Sequence, residues 1–492
     1  MAFGIFNTKT FTGTKSDSLV HEIITISPSE RHKLYGKFAN KFETAFNLNR
    51  QLVSFQANKE EPVYRWFKYK EGFSSNLVTY FLTKYSNGPG RILDPFAGVG
   101  TTLFAGQALG WEAHGIELLP VGVFVMETRQ ALRRIDPIEL QSSIKNLWSE
   151  LDKVVVHTTQ FAHISITKDA FPENTEIAIN RFLSYCNTIN NRDIQTVFMF
   201  VALSILEEVS YTRKDGQYLR WDSRSKRDLS GKPFNKGRIH TFEQAMELKL
   251  SQLLADLSPQ NDSLFDSNII DGRNQYPVNI IQGSCLEELP KLQDASFDFI
   301  VTSPPYCNRY DYTRTYALEL VYLGCDSDKV KNLRQELLSC TVENKEKIDY
   351  LRQLYSSIGR STTFDSVIIT YDSSTTMKEV NSVLGELNKL EKLNNSNIPR
   401  MVRNYFLELC FVIFEMARVT KSGGYCVMVN DNVRYGGEEI PVDLILSEFA
   451  ENFGFDIQKI FVLPRGKGNS SQQMGNYGRT EIRKCVYLWQ KR

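Results

Sequence analysis

The chain of 492 residues has no pair of cysteines at CxxC spacing and only six histidines. Its eight cysteines, at 186, 285, 307, 325, 340, 410, 426 and 485, show no close pairing, so neither a metal site nor a disulfide framework is expected. No apolar stretch approaches the roughly 18 residues of a membrane span. The opening MAFGIFNTKTFTGTKSDS offers no basic segment followed by an apolar run and a cleavage site, which predicts a reducing, cytoplasmic setting. An excess of either charge is missing too: 58 Lys and Arg face 57 Asp and Glu, a net of +1. Affinity for a polyanion therefore has to come from a local basic patch. Tandem repeats and low-complexity tracts are absent. With 42% hydrophobic and 23% charged residues, the composition is that of a globular protein, long enough for one catalytic domain with insertions or a second domain.

What is present is an interrupted alternation of strands and helices. RILDPFAGVGTTLFAGQALG reads as a short apolar strand ended by Asp94 and Pro95, a glycine-rich turn, and a helix from about Thr101. WEAHGIELLPVGVFVMETRQAL continues as a strand ending at Glu117 and a helix from about Pro120. This order predicts a parallel sheet with helices on its faces. The pattern breaks at Asp136-Pro137 and resumes with strands over about 279–284 and 297–303. It breaks again over 326–399, a polar and mostly helical stretch with a β-like DSVIITYDS in its middle. The last block supplies the helix NYFLELCFVIFEMARVTKSGG, capped by its glycines, the strand YCVMVND, a further helix, and the strands IQKIFVL and RKCVYLW as an antiparallel pair. The expectation is an α/β, Rossmann-like sheet of seven strands, mostly parallel with an antiparallel last strand. An N-terminal extension 1–60 would precede core segments 61–135, 277–325 and 400–492, separated by largely helical insertions 136–276 and 326–399.

In DPFAGVGTT, Gly98 and Gly100 let backbone pass close to a ligand, and helix amides from Thr101 face it. No Lys-Ser/Thr pair follows the glycines, which excludes a P-loop. Glu117, 23 residues after Asp94, stands where an acid would hold ribose hydroxyls, so spacing alone leaves a dinucleotide fold open. A carboxylate aimed into the turn repels a pyrophosphate and suits a cation such as the amino group of S-adenosylmethionine. The same glycines would also serve a tight turn with no ligand.

Ser303-Pro304-Pro305-Tyr306 ends the fourth strand, beside that turn, where open α/β sheets bind ligands. Proline donates no hydrogen bond, so carbonyls near Ser303 and Pro304 stay available as acceptors in a stiff frame. Two fixed acceptors suit an exocyclic amine, because holding its N–H bonds out of the ring plane turns the lone pair toward an electrophilic methyl. Tyr306 offers a ring face to a flipped base. Alignment with a methyl sulfonium would supply most of the rate, without a shifted general base.

These segments resemble those of the amino-group DNA methyltransferases of restriction-modification type, which use S-adenosylmethionine on N4 of cytosine or N6 of adenine. The resemblance covers about 60–135, 277–325 and 400–492, including YCNRYDYTRTYALEL and ARVTKSGGYCVMVNDN. It implies a methyltransferase sheet with a cofactor turn of Asp94, Pro95, Phe96, Gly98, Gly100, Thr101 and Thr102, and a ribose-binding Glu117. Ser284 and Cys285, in QGSCLEELPKL, would border the cofactor adenine. Phe73 and Ser74, in YRWFKYKEGFSSNLV, would close its methionine end. Ser303, Pro304, Pro305 and Tyr306 would hold the target amine. It further implies a bacterial, cytoplasmic enzyme acting on double-stranded DNA, with a cognate restriction endonuclease acting on the same site as a partner. Serine before Pro-Pro-Tyr resembles the cytosine-N4 subgroup, whereas Asp or Asn there would resemble the adenine-N6 subgroup. Ser284 departs from the pattern, which often carries an acid there, and the insertion after the second strand is not where the target-recognition region usually falls. Methylation at carbon 5 of cytosine is disfavoured, since its cysteine nucleophile follows proline and Cys307 follows Tyr306. Methylation of RNA and a silent DNA-binding subunit are the competing readings.

From Arg213 to Arg238, nine basic residues face three acids, a net of +6, with Tyr218, Trp221 and Phe234 interleaved. This pattern suits phosphate contact and base stacking, and makes Arg213, Lys214, Arg220, Trp221, Arg224, Lys226 and Arg227 the candidate DNA contacts. A solvated loop with partly packed aromatics would have the same composition. Helices at about 378–394 and the loop PRGKGNSSQQMGNYGRT at 464–480 are secondary candidates.

Overall fold

The computed structural model of the protein describes residues 29–45, 48, 51–154, 162–215, 218–227, 233–257, 276–464 and 482–492. Twelve strands lie among them: β1 Phe42–Thr44, β2 Arg91–Asp94, β3 Glu112–Glu117, β4 Thr212–Asp215, β5 Tyr218–Trp221, β6 Val278–Gln282, β7 Phe297–Thr302, β8 Thr420–Asp431, β9 Val433–Tyr435, β10 Glu438–Ile440, β11 Phe455–Val462 and β12 Lys484–Lys491. Eight form one mixed sheet in the order β1-β11-β12-β8-β7-β2-β3-β6, while β4 with β5 and β9 with β10 form separate hairpins.

Within the large sheet only β12 runs against its neighbours, pairing antiparallel with both β8 and β11. The sheet has eight strands where seven are read from the sequence. The additional one, β1, is three residues long and pairs parallel with β11 at the edge, Phe42 opposite Ile460. A segment that short and largely exposed carries no periodicity to read.

The central strands carry short apolar segments, Ile92-Leu93 in β2 and Phe299-Ile300-Val301 in β7, that are buried as in a sheet covered on both faces. Ile92, Leu93, Ile300 and Val301 are fully buried. From β2 the chain builds outward through β3 and β6, then returns to place β7 on the other side of β2. The direction of building therefore reverses between β2 and β7. This is the crevice where open α/β sheets bind ligands, outside the carboxyl ends of the strands.

Two local readings are corrected. DSVIITYDS lies in a helix, Ser361–Ser373, not a strand. Its β-branched run is overridden by the spacing of Phe364, Val367 and Tyr371, which are buried along one helical face. The glycines of TKSGG do not cap the long helix Ile398–Val419. Thr420 is already extended, and β8 slips register against β7 between Thr420 and Tyr425, so Gly423 and Gly424 sit in an irregular stretch of strand.

Helices between Pro137 and Asp256 share one hydrophobic cluster with residues 316–333, including Phe182, Phe198, Tyr316 and Leu320. All eight cysteines are free and buried. Among the described residues no helix is long and apolar enough to cross a membrane.

Candidate active site

At the carboxyl ends of β2, β3 and β7 lies an open cleft of about 770 Å³, its mouth included. The turn after β2 forms its floor. Gly98 and Gly100 adopt φ of 55° and 81°, the left-handed region that other residues enter at a cost. Space is closed as well: a Cβ on Gly98 would stand 3.0 Å from the Tyr69 ring, and one on Gly100 would stand 2.8 Å from Met126 and Phe104.

Two buried carboxylates pin this turn. Asp94 accepts from the Phe96 amide at 3.0 Å and from the Thr302 hydroxyl at 2.7 Å, both on Oδ1. Glu117 accepts from the Gly98 amide on Oε2 and from the Leu119 amide on Oε1, each at 2.7 Å. Burial pushes the Asp94 carboxyl up to about 6 and that of Glu117 up to about 7, against the opposing pull of these hydrogen bonds.

Phe73, Pro95, Phe96, Thr101, Ser284 and Cys285 line the cleft, as do Ser303 and Pro305 at the end of β7. Ser74, Gly100, Thr102, Pro304 and Tyr306 stand outside the lining. Ser74 caps the helix Ser75–Tyr85, accepting from the Leu77 amide at 3.3 Å and donating to the Leu52 carbonyl at 2.8 Å. The Thr102 hydroxyl donates to the Val301 carbonyl at 3.1 Å, fastening its helix to β7. Ser303 donates to the Val429 carbonyl at 3.1 Å and lies 3.4 Å from the Tyr306 hydroxyl. Burial raises the pKa of that phenol, so it stays protonated.

The basic segment forms the β4–β5 hairpin and the loop after it. Arg213 is exposed and opposite Arg220. Lys214 does not reach the surface: its side chain is 4% exposed, ion-paired to the equally buried Glu319, with the ammonium 4.4 Å from the Tyr316 ring centre. The expectation that it meets phosphate is corrected, because alternation along β4 turns it inward between two outward residues. Arg224 grips Asp222 with two nitrogens at 2.7 and 2.8 Å, which holds that carboxyl well below its usual range. Arg220 covers Phe234 at 4.0 Å and Arg227 covers Trp221 at 4.1 Å, and Trp221 packs against the helical cluster. Lys226 is exposed and has no ion pair among the described residues. The loop 465–480 falls outside them, and of the region about 378–394 a helix covers Thr375–Lys389.

The chain is 44% identical to the type II methyltransferase M.AvaI of Nostoc sp., across 97% of this chain and 95% of that protein, and equally to M.AvaI of Anabaena variabilis. It is 40% identical to the type II methyltransferase M.BsoBI of Geobacillus stearothermophilus, across 94% and 92% of the two chains. The chain belongs to the type II DNA methyltransferases of restriction-modification systems. No protein-family model matches it, and no solved structure does.

Several residues of the methyltransferase cleft escape sequence reasoning. Tyr69 and Glu71 lie just ahead of Phe73, and Tyr312 follows the Pro-Pro-Tyr motif. Glu336, Leu337 and Leu338 come from the stretch read as the second insertion, and the Glu336 carbonyl accepts from the Ser284 hydroxyl at 3.2 Å. With them counted, Glu71, Asp94, Glu117 and Glu336 are lining acids, while no Lys, Arg or His lines the cleft among the described residues.

Proposed function

We propose that this methyltransferase transfers the methyl group of S-adenosylmethionine to N4 of a flipped cytosine in double-stranded DNA. The observation that carries the reading is the cleft itself, which runs from the glycine turn, with Asp94 and Glu117 at its two strand ends, to Ser303 and Pro305, and has no basic lining residue among the described residues. Such a lining favours a cationic ligand, and Gly98, at φ 55° and without a Cβ to cover the floor, suits close backbone approach to it. The cofactor would supply an electrophilic methyl sulfonium. Asp94, Phe96, Gly98 and Thr101 would bind its methionine part, Phe73 would close that end, and Glu117, Ser284 and Cys285 would hold its nucleoside.

Ser303 to Tyr306 would orient the amine, with the carbonyls of the donor-poor Pro-Pro frame taking its N–H bonds and Tyr306 stacking on the base. The Ser303 hydroxyl, bonded to the Val429 carbonyl, fixes the start of that frame to β8. Serine at this place supports cytosine as the target, from the resemblance to the cytosine-N4 subgroup. The insertion 136–276 would carry the DNA-holding surface, with the core built from 61–135, 277–325 and 400–492, and a cognate endonuclease would act on the same site. The test is to express the chain, digest the host DNA to nucleosides and identify the methylated base by mass. N4-methylcytosine is expected; N6-methyladenine would overturn the base assignment, and no methylated amine at all would overturn the reaction.

A further inference from the structure

The segment after the Pro-Pro-Tyr motif is held to the cofactor side of the cleft through one carboxylate. Tyr310 and Tyr316 each donate a hydroxyl hydrogen bond to Glu71, Tyr310 to Oε1 and Tyr316 to Oε2. The partners are separated by 239 and 245 positions in sequence, so these bonds join two distant parts of the chain. Glu71 lines the cleft. On its own side, neighbouring Tyr69 packs against Gly98 of the turn. Tyr316 stacks on Tyr69 with ring centres 5.1 Å apart and planes 15° apart. Tyr310 meets Tyr312, a second lining residue, edge to face at 4.9 Å.

Residues 307–311, directly after Tyr306, contain Arg309 at φ 66°, a conformation that persists only where the surroundings hold it. Asp311 anchors the next turn by accepting from the amides of Thr313 and Arg314. Burial and the nearby carboxylate both raise the tyrosine pKa values, so both hydroxyls remain protonated donors.

We infer that Glu71 is a positioning residue for methyl transfer, which clamps the segment following Ser303-Pro304-Pro305-Tyr306 onto the wall that holds the cofactor. The inference rests on the reaction proposed above and adds a residue to it. A carboxylate accepting one hydroxyl on each oxygen fixes both tyrosines at once, and through them the far end of the loop whose near end presents the target amine. Loosening such a support displaces reacting groups without removing any of them, and a shift of about 1 Å lowers rate by about a hundredfold.

The test compares Glu71→Gln, the Tyr310→Phe/Tyr316→Phe pair and their combination in the full chain. It measures single-turnover rate on duplex DNA, S-adenosylmethionine affinity by calorimetry, and melting temperature. Glu71→Gln and the tyrosine pair should each slow the methyl-transfer step about tenfold or more, with cofactor affinity changed by less than about threefold. The combination should be no slower than the slower of the two, since all remove one clamp. Cofactor affinity weakened about tenfold by Glu71→Gln but untouched by the tyrosine pair would make Glu71 a direct ligand and overturn the positioning role. So would additive losses, or rates within about twofold of the parent. Tyr310→Phe alone keeps the test open if Glu71→Gln fails to fold, because a folded Tyr310→Phe protein with parental rate overturns the clamp. A parent protein that transfers no methyl group from S-adenosylmethionine to DNA would refute the reaction itself, whereas an active parent with parent-like variants refutes only the role of Glu71.

Discussion

The Thr302 hydroxyl donates to Asp94 at 2.7 Å, so the last residue of β7 is bonded to the last residue of β2. The two strand ends that flank the cleft are thereby one unit, with the glycine turn on one side and the Pro-Pro-Tyr motif on the other. Asp94→Asn should weaken S-adenosylmethionine binding roughly ten- to a hundredfold, the loss of a charge-assisted interaction of about 1.5 to 3 kcal/mol. Thr302→Val removes a hydrogen bond that holds the Asp94 pKa down, so it should lower the melting temperature by leaving one carboxylate lone pair unmet in a buried setting and should weaken cofactor binding less than Asp94→Asn does. Calorimetry and a melting curve separate the two, and an unchanged dissociation constant in folded Asp94→Asn would remove Asp94 from the cofactor site.

The raised carboxyls of Asp94, at about 6, and Glu117, at about 7, give a pH dependence with a definite sign. The cofactor's cation favours the charged form of Asp94 and ribose hydroxyls donating to Glu117 favour its charged form, so cofactor affinity should climb between about pH 5 and 8. Protons should be released on binding near pH 6, which calorimetry in buffers of different ionisation enthalpy measures directly. For folding alone the sign reverses. The folded protein holds these protons more tightly than the unfolded chain, so their contribution to stability is full below about pH 4 and is lost as pH rises through about 6 to 7. Glu117→Gln should flatten the upper part of both profiles. Cofactor affinity independent of pH across this window would show that neither carboxylate meets the cofactor.

Tyr306→Phe should be milder than Tyr306→Ala. Among the described residues its hydroxyl makes a long contact of 3.4 Å with Ser303, while stacking on a base needs the ring and is worth about 1 to 3 kcal/mol. Both should lower turnover far more than cofactor affinity. Equal damage from the two substitutions would assign the role to the hydroxyl and end the stacking account. Ser303→Ala should also slow turnover, through the broken tie to Val429.

The glycine turn and the Pro-Pro-Tyr segment were legible because their chemistry is local: glycines at positive φ, an acid at a strand end and prolines without donors all act within a few residues. The same holds for strands such as β2 and β7, whose apolar runs are their own signal. What was not legible depends on contacts made elsewhere in the chain. Glu71 looks like any acid in FKYKEGF until Tyr310 and Tyr316 reach it. Lys214 reads as one of nine cations until the alternation of a four-residue strand turns it onto Glu319. β1 exists only because β11 offers an edge.

Burial and ion pairing divide the basic segment into three sets with different expected phenotypes. Arg213 and Lys226 are exposed, without ion pairs among the described residues, so if this surface meets DNA they contact phosphate. Replacing both with alanine should weaken binding to all sequences alike and reduce the slope of log affinity against log salt by about 0.9 for each phosphate no longer neutralised. Lys214→Ala should act on the fold: it strands the buried Glu319 carboxylate, a change that costs about 3 to 5 kcal/mol where a buried pair is broken. Arg224→Ala should show less than the full slope change, since its half-exposed guanidinium is already engaged by the buried Asp222, and a smaller loss of stability than Lys214→Ala, since Asp222 keeps the amides of Arg224 and Lys236 as donors. DNA affinity at several salt concentrations beside melting curves reads all three. A parental slope in stable Arg213→Ala/Lys226→Ala protein would show that this face is solvated surface, and the search for the phosphate-binding residues would pass to the Gly- and Gln-rich loop after Pro464.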